Sequence, residues 1–185
     1  MAYIKRSIDD ELLSWMKDPS RKPLLLRGAR QVGKTTAVRA LAKRFKYFIE
    51  IDFNQSEADR ELFGSDVSTP KLWENLAAIH GVTSKPGKTL LFLDEIQACP
   101  AAVNRLRYFY EQIPELHVIA AGSLLEFVLE DLPSFGVGRV RSLFVYPLSF
   151  QEFLAALGKE TLGDLVRKAS PENPLLPAVH ETLTE

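Results

Sequence analysis

Along the 185 residues, short, near-continuous apolar runs take turns with apolar stripes spaced three and four apart. The runs are Leu24-Leu25-Leu26, Tyr47 to Asp52, Leu90 to Leu93, Leu116 to Ala121 and Leu143 to Tyr146. Runs this short and this apolar suit strands covered on both faces. The stripes predict helices. Ser7 reads as an N-cap with Asp9, Asp10 and Glu11 in the first turn, and Ile8, Leu12 and Met16 form the stripe up to Asp18-Pro19. Ala37, Leu41 and Phe45 define a helix of about 11 residues that leaves Arg39, Lys43 and Arg44 to solvent. Ser56 caps a short helix running to Gly64. Thr69 caps the next, with Pro70 at its first position, Leu72, Trp73, Leu76 and Ile79 inward, and Gly81 as the stop. A helix over 101–113 buries Val103, Leu106, Tyr110 and Ile113 and ends at Pro114. Ser149-Phe150-Gln151-Glu152 is a capping box that opens a helix carrying Phe153, Leu154 and Leu157 to Gly158.

Strands and helices in alternation predict an α/β fold of three layers, a five-stranded, mainly parallel sheet between helices. Ligands of such sheets bind beyond the carboxyl ends of the strands.

Two of those ends carry chemistry. After the first run comes Gly28-Ala29-Arg30-Gln31-Val32-Gly33-Lys34-Thr35, a full G-x-x-x-x-G-K-[ST] phosphate loop set between a strand and a helix. Its glycines let backbone N–H groups of residues 28–36, Thr36 included, approach phosphate oxygens. Lys34 supplies a charge to the β- and γ-phosphates, Thr35 a hydroxyl to Mg²⁺, and the helix its positive end. After the third run comes Asp94-Glu95. Asp94 would orient Mg²⁺, and Glu95 would polarise the water that attacks the γ-phosphate. The same two acids could instead cap the helix that begins near Pro100. Ser123, just past the fourth run, could touch the γ-phosphate or the attacking water, or serve as a cap or turn serine. Arg139 and Arg141 could stabilise charge on the γ-phosphate, or flank a strand in solvent.

Composition narrows the classes. The length suits one domain, and 23 Lys and Arg against 24 Asp and Glu give a net charge of −1, with no global pull toward nucleic acid or membrane. Arg105, Arg107 and Lys71 read as solvated helix faces. No apolar stretch approaches the roughly 20 residues of a membrane helix, and Met1 to Arg6 lacks a signal-peptide core, so the chain reads as cytoplasmic. Cys99 is the sole cysteine, which fits a reducing compartment and a small buried filler. His80, His117 and His180 have no ligand-like spacing, against a structural metal. Gly136-Val137-Gly138 lacks the third glycine and preceding strand of a dinucleotide site. No Asn-Lys-x-Asp guanine reader occurs, which favours ATP over GTP.

With these residues in view, the chain resembles the ATPase module of prokaryotic AAA+-like P-loop proteins that carry an uncharacterised nuclease-like domain after the ATPase. The resemblance rests on Tyr3-Ile4-Lys5-Arg6, Gly28 to Thr36, Leu93-Asp94-Glu95-Ile96-Gln97, Ala121-Gly122-Ser123-Leu124-Leu125, Gly138-Arg139 and Tyr146 to Phe153. Ala29 stands where the family commonly has proline. The resemblance implies an ATPase core over residues 1–150, with the N-terminal helix in 1–20. It implies that 151–185 begins a lid or a linker to a C-terminal domain that is missing, as in a truncated chain. It assigns Ser123 the sensor position and Arg139 the arginine that reads nucleotide state, in cis or, in a homo-oligomer, in trans.

The expected activity is Mg²⁺-dependent hydrolysis of ATP to ADP and phosphate, with Lys34, Glu95, Ser123 and Arg139 as catalytic groups. It would drive or gate the C-terminal domain, or a protein or nucleic-acid partner. A nucleotide-gated interaction module with little hydrolysis is the alternative. A small-molecule kinase fits the loop but leaves Glu95 without a task.

Overall fold

The computed structural model describes residues 3–123 and 138–184. Five strands, β1 (Leu24–Arg27), β2 (Tyr47–Asp52), β3 (Thr89–Asp94), β4 (His117–Ala121) and β5 (Arg141–Phe144), run parallel in the order β2-β3-β4-β1-β5. Among the described residues five helices join or precede them, namely α1 (Ser7–Lys17), α2 (Lys34–Ala42), α3 (Glu57–Gly64), α4 (Thr69–Ile79) and α5 (Pro100–Gln112), and α6 (Phe150–Ala156) comes after β5. Two more follow, α7 (Glu160–Lys168) and α8 (Pro177–Thr184).

Alternate residues of each strand feed two cores. Leu24, Leu26, Leu90, Phe92, Ile119 and Ala121 pack with Ile8, Leu12 and Trp15 of α1 and Ala37, Val38 and Leu41 of α2. Leu25, Ile49, Ile51, Leu91, Leu93, Val118 and Ala120 face Phe63, Leu72, Trp73, Leu76, Leu106 and Phe109 from α3, α4 and α5. The result is a three-layer α/β/α arrangement, its sheet wholly parallel. Cys99 lies in the second core, 4% exposed.

Several boundaries differ from the sequence reading. β5 starts at Arg141 and ends at Phe144, because it is an edge strand whose residues, Leu143 excepted, are exposed, so an apolar run does not mark it. Ser68 rather than Thr69 caps α4, its hydroxyl accepting from the Lys71 amide. Ile79, expected inward, is 66% exposed in the last turn of α4. Phe109, three residues past Leu106, takes the fully buried position expected of Tyr110, which is half-buried beside it.

Contacts divide the described chain into two units, residues 8–147 and residues 3–7 with 148–184. In the second, the Ser149 capping box is complete, and Glu152 also accepts from the Ser7 amide at 2.7 Å and hydroxyl at 2.9 Å and pairs with Arg6 at 3.1 Å. Burial alone would raise the Glu152 carboxyl, but these donors outweigh it and hold the pKa at about 2.

Candidate functional site

The carboxyl edge of the sheet gathers the candidate residues. As β1 ends, Gly28 takes φ 139°, and a Cβ there would lie 2.2 Å from the Val145 carbonyl oxygen, so the loop can leave the strand only as glycine. Val145 also donates its amide to the Arg27 carbonyl at 2.8 Å. Gln31 (φ 63°) and Gly33 (φ 95°) then turn the chain back through left-handed geometry, and α2 begins at Lys34. The first amides of a helix have no partner within it, so this turn aims donors and a positive helix end at the edge.

Lys34 and Asp94 are buried, 7% and 8% exposed. The Lys34 ammonium donates to the carbonyls of Gly28 and Ala29, each at 2.8 Å. Burial lowers its pKa, while the Glu95 and Asp94 carboxylates act in the opposite sense. Asp94 ends β3 and accepts from the Thr35 hydroxyl at 2.7 Å through Oδ2 and from the Glu95 amide at 3.0 Å through Oδ1. Burial raises its pKa against those two hydrogen bonds. With both oxygens engaged, Asp94 does not cap α5; Cys99 takes that position without a side-chain bond. Glu95 adopts φ 50°, ψ 43°, and accepts a hydrogen bond from the Gln97 carboxamide.

These groups line a cleft of about 330 Å³, with Arg30, Gln31, Gly33 and Thr36 of the loop around Lys34, Thr35, Asp94 and Glu95. Val32, 9% exposed, packs into the core beneath it. Ser123 follows β4, which lies between β1 and β3; Gly122 before it donates to the Leu26 carbonyl at 3.3 Å. Its hydroxyl is buried and has no hydrogen-bond partner among the described residues, and it does not line the cleft.

Arg139 is not brought to this cleft. It precedes β5, whose first residue Arg141 is level with Leu24 at the amino end of β1, and it pairs with Glu111 in the last turn of α5. At about 3.3 Å per residue, β1 alone separates the two edges by roughly 10 Å. Arg141 pairs loosely with Glu11, at 3.8 Å. The calls on Leu124 and Leu125 and on Gly136-Val137 lie outside the described residues.

A hydroxyl and a carboxylate 2.7 Å apart form a hard-oxygen donor pair that suits Mg²⁺. Among the described residues no cluster of three or more His, Cys, Asp or Glu could hold a metal by itself, so such an ion would complete its shell from water and phosphate oxygens.

A family model described as an AAA domain matches residues 20–154, from just before β1 into α6. The chain belongs to this AAA domain family. Membership supports nucleotide binding and hydrolysis of the ATPase type in general. Among solved structures, C. elegans PCH-2 is similar over 97% of this chain and 68% of its own, at 15% identity and a TM-score of 0.44. No curated protein matches the AAA domain described here. Among its described residues no helix is long and apolar enough to cross a membrane.

Two features of the AAA domain, one in the cleft and one away from it, were not legible in its sequence. The Gln97 bond to Glu95 depends on a tight turn between them that residue spacing does not announce. Arg105, expected in solvent, donates to the carbonyls of Phe63, Ser65 and Val67 at 2.9, 2.5 and 2.9 Å and pins the loop between α3 and α4.

Proposed function

We propose that this chain binds ATP with Mg²⁺ and hydrolyses it to ADP and phosphate. The observation that carries the reading is the contact of Thr35 with Asp94, which joins the phosphate loop to the end of β3 across 59 positions of sequence. The backbone of Gly28 to Thr36 would cradle the phosphates, and Lys34 would exchange the Gly28 and Ala29 carbonyls for β- and γ-phosphate oxygens. Thr35 and Asp94 would hold Mg²⁺, which when bound neutralises charge on the phosphate oxygens. Glu95 would take the proton of the attacking water, and Ser123, just past β4 with a hydroxyl that has no hydrogen-bond partner among the described residues, would sense the γ-phosphate.

The work of this cycle would be delivered to a C-terminal domain, or to a protein or nucleic-acid partner, in the cytoplasm. Residues 151–185 would begin the lid or the linker to that domain. Arg139, at the far edge of the sheet, could serve only a nucleotide bound by a neighbouring copy in a homo-oligomer. That placement also favours a second reading, a nucleotide-gated module with slow turnover when alone.

The test measures ATP affinity with Mg²⁺ and phosphate release for wild type, Lys34→Ala and Glu95→Gln, over a range of protein concentrations. Expected are loss of binding in Lys34→Ala, and binding without release in Glu95→Gln. Release per chain should rise with concentration if arginine acts in trans. Binding without release in the wild type selects the gated module, and equal ATP affinity in wild type and Lys34→Ala overturns the phosphate-loop assignment.

A further inference from the structure

Glu95 stands at a corner. It leaves β3 in left-handed geometry, and the chain enters a 3₁₀ turn at Ile96–Ala98 at once. Three interactions hold this corner. The Glu95 amide donates to Asp94 Oδ1 at 3.0 Å, the Ala98 amide donates to the Glu95 carbonyl at 2.9 Å, and Gln97 Nε2 donates to Glu95 Oε2. The first two set the backbone, and the third acts on the carboxylate alone. Ile96, fully buried, and the Cys99 amide on the Ile96 carbonyl at 2.9 Å anchor the turn from which Gln97 reaches back.

The other end of the Gln97 carboxamide is informative. Oε1 is buried and has no hydrogen-bond partner among the described residues. Most buried side-chain polar atoms have a hydrogen-bond partner. Here the acceptor is left bare, and the donor goes to a group that lines the cleft.

We propose that Gln97 is a positioning residue that fixes the Glu95 carboxylate through Glu95 Oε2 and leaves Glu95 Oε1 to accept the proton of the attacking water. This rests on the hydrolytic reading of the same site. A carboxamide suits the task because it restrains a carboxylate without neutralising it, whereas an arginine or lysine would compete for the charge that makes Glu95 a base. Gln97 touches no reacting atom; its effect passes entirely through Glu95.

Phosphate release, ATP affinity and melting temperature are measured for wild type, Gln97→Met, Gln97→Asn, Glu95→Gln and the double variant Glu95→Gln with Gln97→Met. Methionine keeps the length of glutamine and removes the donor, and asparagine keeps the amide one methylene short. Both should slow release about 10- to 100-fold, the scale of a misplaced catalytic group, with ATP affinity and melting temperature unchanged. The double variant should be no slower than Glu95→Gln, because nothing remains for Gln97 to position. Release at the wild-type rate in Gln97→Met, full rescue by Gln97→Asn, or the same fractional loss on both backgrounds overturns the proposal and leaves the hydrolytic reading intact. A wild type that binds ATP and releases no phosphate removes that reading and the proposal with it.

Discussion

At residue 28 a single methyl group would have nowhere to go. The nearest atom to a Cβ there is a backbone oxygen, at 2.2 Å, and the backbone already sits at φ 139°. Gly28→Ala should therefore cost about 2 kcal/mol or more of stability and weaken ATP binding, because loop or β5 has to shift. Gly64, whose added Cβ would meet nothing within 4 Å, is the control; Gly64→Ala should leave the urea midpoint unchanged or raise it. Equal midpoints for the two variants would show that the loop yields without strain. The residue types of the cleft were legible because phosphate and magnesium chemistry restrict them to glycine, lysine, hydroxyl and carboxylate. Gln97 was not, since a neutral amide two positions past Glu95 acquires its meaning only from the turn that folds it back.

Among elements, the connection between α3 and α4 depends on one guanidinium. Arg105 on α5 donates to three carbonyls of Phe63, Ser65 and Val67, and no methionine can replace those bonds. Arg105→Met should lower stability by about 2 kcal/mol, the scale of charge-assisted bonds lost to half-buried acceptors. Amide exchange should quicken first in residues 65–69. Uniform exchange in wild type and variant would show that the loop holds itself. Helix starts were readable where a side chain closes the end, as at Ser56, which accepts from the Asp59 amide, and at the Ser149 box. The role of Arg105 was hidden because its partners are backbone carbonyls, which every residue type supplies alike.

Over the whole molecule, the three layers were visible in the apolar runs, but the neighbour order was not. β4 separates β1 from β3, yet every strand that is apolar on both faces carries the same pattern, and pattern alone does not sort them. Stability across pH depends on a group between those layers. His117 is 7% exposed, meets Trp15 and Phe45 edge-on, and reaches the Met16 carbonyl at 3.3 Å. Burial first, and then the Arg21 charge, lower its pKa from 6.5 to about 4. Between those values the unfolded chain binds a proton that the folded chain refuses, so stability falls as the pH drops from about 6.5 to about 4, by up to about 3 kcal/mol. Glu152, held at about 2, loses its contribution in the lower window between 4.5 and about 2. Urea midpoints at pH 7 and pH 4.5 should differ in the wild type and converge in His117→Phe; an equal difference in both would assign the slope to other groups.

Cys99 also sets what reagents can see. It is the one thiol in the chain, it is 4% exposed, and burial pushes its pKa above the ordinary value. Thiolate, the species that reacts with a maleimide, is therefore scarce and shielded in the native protein. A cysteine introduced on the surface would become the sole labelling site without removal of the natural one, so a dye or spin label can report on nucleotide binding against a silent background.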